Sequence, residues 1–180
     1  MFGEYTKLDG QKLLNLARKS IESKFISITP EVPEGKQFKQ ARGVFVTLTK
    51  QGELRGCVGF PYPTMSITQA VIEAAQSAAF EDSRFPKLEE DEVTKIKIEI
   101  SILTQPELVK NAKDIEIGKD GIICEYMGFS GLLLPQVAIE HKLSRIEFLE
   151  ALCNKAGLPK NTWQNKNFKL YKFQAQIFEE

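Results

Sequence analysis

Residues 96–102 read IKIEISI, and their alternation limits what the chain can become. Ile96, Ile98, Ile100 and Ile102 point one way, while Lys97, Glu99 and Ser101 point the other. A period of two is the period of a strand, so this segment predicts a strand with an apolar face on a core and a polar face away from it. A second alternating run, GVFVTLT at 43–49, is followed by the turn residues KQGE and then by LRGCVGF at 54–60, which predicts a hairpin. Helical spacing governs other stretches. Leu13, Ala17, Ile21 and Ile28 form a stripe from Asp9, the expected cap, to Ile28. Ser66 and Gln69 have capping-box spacing before a helix that ends near Phe80, with Ala70, Val71, Ala74, Ala75 and Ala78 inward. PQVAIEHKL reads as a short helix, and Ser144 with Glu147 opens another that Gly157 closes. Lys169 to Phe178 reads as one terminal strand. Hairpins outnumber any βαβ rhythm, so the expected fold is α+β, a largely antiparallel sheet flanked by helices, over residues 1–180 as a single domain.

Composition narrows the function classes. Lys plus Arg and Asp plus Glu both number 24, so no global field draws the chain to nucleic acid or to an anionic membrane. No apolar run has the length of a membrane span, and the first residues lack a charged region followed by an apolar stretch, so neither a membrane anchor nor a signal peptide is expected. Cys57, Cys124 and Cys153 are odd in number and far apart, which predicts reduced thiols and a cytoplasmic location. No two of them have metal-ligand spacing and His141 is the lone histidine, so no metal and no cofactor is expected. KNTWQNKNFKLYKF interleaves lysines with aromatics in the manner of a nucleic-acid platform, but lysines guarding an edge strand account for it more simply.

The stretch ELRGCVGFPYP raises the functional question. Along a strand, Arg55, Cys57 and Gly59 share a face, while Leu54, Gly56 and Val58 share the other, with Leu54 and Val58 expected in the core. Glycines inside a strand mark a bulge or a close approach, and here they suggest space over the thiol. Arg55 can lower a thiol pKa or grip an anion. The competing reading makes Cys57 a small buried hydrophobe and Arg55 a structural ion-pair partner. Asp82 and Arg84 flank Ser83 after the alanine-rich helix, and Glu99 lies on the polar face of its strand as a candidate general base.

LRGCVG resembles the six-residue signature of the AMMECR family, with Val58 where isoleucine is usual. GVFVTL, AAFEDSRFPKL, IEISILTQPE, GLLLPQVA and FLEALCNKAGL, followed by Trp163, resemble the family in the same order. The resemblance implies a main sheet flanked by helices, a smaller hairpin-rich subdomain, and a cleft between them lined by the signature. It assigns ligand-binding roles to Arg55, Gly56, Gly59, Asp82, Arg84 and Gln136, adds Phe85, and marks Cys57 and Glu99 as catalytic candidates. Lys87 and Leu143 depart from the family pattern, and His141 inherits no role. The resemblance implies no particular reaction; the residues themselves point to a cleft that binds a small anionic ligand, with thiol- or carboxylate-based catalysis as the enzymatic form. The alternatives are a non-catalytic scaffold for a Memo-type or radical-SAM partner and an RNA-linked role.

Overall fold

The computed structural model describes residues 5–180; residues 1–4, where the segment read for a signal peptide begins, lie outside the described residues. Its architecture is α+β, with antiparallel sheets and helices against them, divided into two compact units: the described residues up to 103 with 176–180, and residues 104–175.

In the first unit, α1 (Lys7–Glu22) and α2 (Ile67–Phe80) accompany β1 (Gly43–Lys50), β2 (Glu53–Phe60), β3 (Ile96–Leu103) and β8 (Ala175–Glu179), with strand order β2-β1-β3-β8. Thr6, not Asp9, caps α1. Asp9 sits in the third helical position and returns a hydrogen bond to the Thr6 amide at 2.9 Å, because a short hydroxyl at the cap reaches the helix's open N–H groups and a carboxylate three residues on reaches back. Ser66 caps α2 as expected, but the Gln69 side chain bonds Glu73 instead of completing the box. The α2 stripe of Ala70, Val71, Ala74, Ala75 and Ala78 is buried against β1 and β2. Small side chains let the helix approach closely, and at Gly56 a Cβ would collide with the Ala78 carbonyl.

The β1–β2 hairpin turns through Gln51 (φ 54°) and Gly52 (φ 86°), two left-handed residues that match the twist of the strands they join. Its register contains a bulge. Leu48 faces Gly56 but Thr49 faces Leu54, so Arg55 is an extra residue with no partner on β1. An extra residue reverses the alternation beyond it, which corrects one expectation: Leu54 joins the face of Thr49 and is 43% exposed, outside the core. The core of this unit lies on the other face, around Val44, Val46, Leu48, Ile98 and Ile100.

The second unit holds β4 (Glu107–Leu108), β5 (Gly121–Tyr126), β6 (Phe129–Leu133), α3 (Pro135–Glu140), α4 (Arg145–Lys155) and β7 (Lys169–Phe173), with strand order β4-β7-β5-β6. Its own core gathers Ile122, Cys124, Leu133, Phe148, Leu149, Leu152 and Cys153, so the apolar residues form two clusters. The terminal segment is two strands. β7 pairs with β5 and β4 in this sheet, β8 belongs to the other, and Gln174 between them exchanges hydrogen bonds with Thr104. β7 is therefore an interior strand, and edge protection does not explain its lysines. Phe173 is buried, and Trp163 and Phe168 pack on the core, so these rings serve as interior surface.

Candidate functional site

Cys57 lies on β2, the strand at one end of its sheet. Its backbone amide donates to Asp82 Oδ2 at 2.9 Å and its carbonyl accepts from Arg84 Nη2 at 3.1 Å. Both backbone groups thus point away from β1, and the Asp82–Arg84 pair satisfies them as a neighbouring strand would. Opposite residues whose backbone groups point away from each other form the close type of antiparallel pair, so the side chains of Cys57 and Thr47 meet. Thr47 Oγ1 donates to Cys57 Sγ at 3.4 Å. On the other side of Thr47, Glu99 occupies the matching position of β3, so Cys57, Thr47 and Glu99 form one row across three strands.

Asp82 sits just beyond the α2 cap residue Glu81, with its side chain only 7% exposed. Its carboxylate also accepts Arg84 Nε at 2.9 Å, Arg84 Nη2 at 2.7 Å and the Arg84 amide. The hydrogen bonds from Arg84 are the main reason its pKa falls well below the usual carboxylate range, against the opposing effect of burial, with the Cys57 amide adding to them. The Arg84 guanidinium is raised in turn, by Asp82 first and with a smaller contribution from the Cys57 side chain. Arg84 remains 56% exposed, and its carbon lies 5.5 Å from the centre of the Phe85 ring.

Arg55 is placed differently. The bulge carries its guanidinium off the strand to the segment at 86–92. Nε donates to Glu92 Oε1 at 3.1 Å and Nη2 to Glu92 Oε2 at 2.8 Å; Nη1 reaches the Pro86 carbonyl and Nη2 the Lys87 carbonyl. Arg55 and Glu92 side chains are each 12% exposed. Glu92 also accepts Lys50 Nζ at 2.7 Å and the Glu89 amide at 3.0 Å, and the Arg55 hydrogen bonds lead the causes that hold its carboxyl far below its ordinary range. Arg55 therefore ties β2 to the connector that follows Asp82 and Arg84.

The two signature glycines face occupied space. Gly56 admits the Ala78 carbonyl, and Gly59 lies under the Phe45 ring. Gln136 lies in the second unit at the second position of α3, and its buried Oε1 has no hydrogen-bond donor among the described residues. Of the thiols, Cys124 and Cys153 are fully buried, and burial pushes Cys124 up to about 11 and raises Cys153, whereas Cys57 is partly accessible. Among the described residues no group of three or more His, Cys, Asp or Glu could hold a metal ion, and no helix is long and apolar enough to cross a membrane.

Sequence reading missed two members of this region. Glu92 lies in the run LEEDE, where nothing distinguishes it from its acidic neighbours, although a poorly exposed arginine on a strand requires a carboxylate somewhere. Thr47 lies in the run GVFVTLT, whose alternation sets it on the face away from Val46 and Leu48, and the hairpin register brings it opposite Cys57.

These features define a class: an α+β protein whose first unit has a partly accessible thiol on an edge strand, held by an Asp–Arg pair. The chain belongs to the AMMECR1 family, whose sequence profile matches residues 14–178. It is 45% identical to Protein TV1384 of Thermoplasma volcanium over 179 residues, covering 95% of this chain and 89% of that one. A protein of Methanosarcina mazei is 45% identical over 186 residues, covering 97% and 93%. Among solved structures, the uncharacterised protein PH0010 from Pyrococcus horikoshii superposes with a TM-score of 0.88 at 40% identity, covering 95% of this chain and 91% of that one.

Proposed function

We propose that the Cys57 corner is a thiol site for a small anionic ligand, with the exposed side of Arg84 as its anion contact. One observation carries this reading. Cys57 is held at its amide and its carbonyl, its sulfur accepts a hydrogen bond from Thr47, and a half-exposed guanidinium stands beside it. A thiol becomes a nucleophile as its thiolate, which neighbouring cations and hydrogen-bond donors favour. Arg55, committed to Glu92 and two carbonyls, serves in this reading as a positioning residue. Glu99, at the far end of the row, is the proposed proton acceptor, and Gln136 is proposed as a separate ligand contact on the strength of its undonated Oε1. The test is alkylation of the native protein, read cysteine by cysteine, with neutral iodoacetamide and anionic iodoacetate. Cys57 should react and the two buried thiols should not. Arg84→Ala should lower the iodoacetate rate more than the iodoacetamide rate. Equal labelling of Cys57 and Cys153, or an unchanged ratio in Arg84→Ala, would remove the proposal.

A docking role, with a Memo-type or radical-SAM protein as partner, draws on a different observation. At the β5–β6 turn Met127 and Phe129 stand 82% and 51% exposed. If docking occurs there, Met127→Asp should abolish co-purification with such a partner and leave Cys57 alkylation unchanged.

A further inference from the structure

Resting on the thiol-site reading and going beyond it, we infer that Cys57 reduces a small hydroperoxide, with Thr47 and Arg84 as the donors that help its oxygen–oxygen bond to break. Three side chains from three elements carry the inference. Cys57 Sγ on β2 accepts from Thr47 Oγ1 on β1 at 3.4 Å. Arg84, beyond the end of α2, donates from Nη2 to the Cys57 carbonyl at 3.1 Å. Anchored first by Asp82, its guanidinium also interacts with the Cys57 side chain. Its Nη1 has no acceptor among the described residues. The sulfur thus has a hydroxyl donor within the sheet and a cationic N–H donor at the sheet's open edge.

Peroxide cleavage uses such a set. The sulfur attacks one peroxide oxygen, so an S–O bond forms and the O–O bond breaks. The other oxygen leaves with the bonding pair, ends with the thiol's proton and departs as water. Sulfur loses two electrons, the two peroxide oxygens gain them, and the thiol becomes a sulfenic acid. Negative charge grows on the departing oxygen, and N–H and O–H donors already in place stabilise it. The Thr47 hydroxyl can donate to the sulfur or rotate to the peroxide. Other thiol chemistries find less support at this corner. Acyl transfer builds an oxyanion on carbon, which backbone N–H groups hold best, but the Cys57 amide is given to the Asp82 carboxylate, whose charge opposes an oxyanion there. The first unit contains no histidine to pass a proton to a carbon substrate's leaving group, whereas peroxide cleavage supplies its leaving oxygen with the thiol's own proton. Cys124 and Cys153 are fully buried in the core of the second unit, so the thiol that resolves the sulfenic acid comes from outside the chain. That external sulfur bonds to Cys57 as water leaves, and a second external thiol releases Cys57 and carries away the disulfide.

The experiment treats reduced, native protein with hydrogen peroxide and, in parallel, with iodoacetamide. Cys57 is read by peptide mass spectrometry, with dimedone trapping the sulfenic acid, and N-acetylcysteine at the same pH is the reference for both reagents. Cys57 should exceed the reference by several-fold more with peroxide than with iodoacetamide. Thr47→Val and Arg84→Ala should each lower the peroxide rate several-fold more than the iodoacetamide rate, and Thr47→Ser, which keeps the hydroxyl, should keep the peroxide rate. With added glutathione, peroxide consumption should pass one equivalent per chain, and it should cease in Cys57→Ser. A peroxide-to-iodoacetamide ratio no higher than that of N-acetylcysteine would overturn the inference and leave the thiol site standing. A ratio unchanged in both variants, or consumption that stops at one equivalent, would do the same. Labelling of Cys57 by neither reagent would overturn the thiol-site reading and the inference together.

Discussion

Arg55 and Arg84 are about as far apart in sequence as β2 and the end of α2, and both touch the strand that carries Cys57, yet they do different work. Arg55 is largely enclosed, with Nε, Nη1 and Nη2 all hydrogen-bonded to Glu92 and two carbonyls. Arg84 is more than half exposed, with its Nε–Nη2 side tied to Asp82 and Cys57 and Nη1 left over. The residue type is the same. What separates a structural cation from a ligand-facing one is the count of donors already engaged and the water that reaches the rest.

The comparison breaks most readily through stability. Arg55→Ala leaves Glu92 enclosed with only Lys50 and an amide, so a loss of about 3–5 kcal/mol is expected in urea denaturation. Arg84→Ala takes two side-chain donors from the 7%-exposed Asp82 carboxylate, but water reaches the site of the 56%-exposed guanidinium and the Cys57 amide remains, so a smaller loss of about 1–3 kcal/mol is expected. Similar losses in the two variants would erase the distinction. Next in size is Gly56→Ala, which places a methyl group against the Ala78 carbonyl and should cost about 1–3 kcal/mol, while Gly52→Ala, in open space but left-handed, should cost less.

Acid should sharpen the contrast between the two carboxylates' settings. Asp82 and Glu92 ionise more readily folded than their ordinary values of 3.8 and 4.5, so the stability each adds is fully present above its ordinary value and is lost as pH falls through its lower folded value. Wild-type stability should therefore drop between pH 5 and pH 2, on the order of the widths that carboxylate titrations span, and Glu92→Gln should flatten that drop in denaturation curves taken at each pH. The smallest effect expected is at Thr47. Valine keeps its shape and serine its hydroxyl, so a hydrogen-bonding role predicts slower Cys57 alkylation in Thr47→Val and near-normal alkylation in Thr47→Ser. The reverse order would make Thr47 a packing residue.

Much of this molecule was legible in local pattern. The alternation at 96–102, the Gln51–Gly52 turn and the caps at Ser66 and Ser144 all depend on neighbours within a few residues, and all stand in the structure. The family resemblance read from ordered motifs likewise holds over residues 14–178. Tertiary structure decided the rest. One extra residue at Arg55 moved Leu54 out of the core, because register is set by the partner strand and a single step reverses every side chain beyond it. The terminal segment divided at Gln174 because two different sheets offered it partners. Arg55 found Glu92, 37 residues away, and Cys57 found Asp82, 25 away. No periodicity encodes such a pairing, since it depends on which charged group the folded chain brings to the strand's open edge and which donors are already engaged when it arrives.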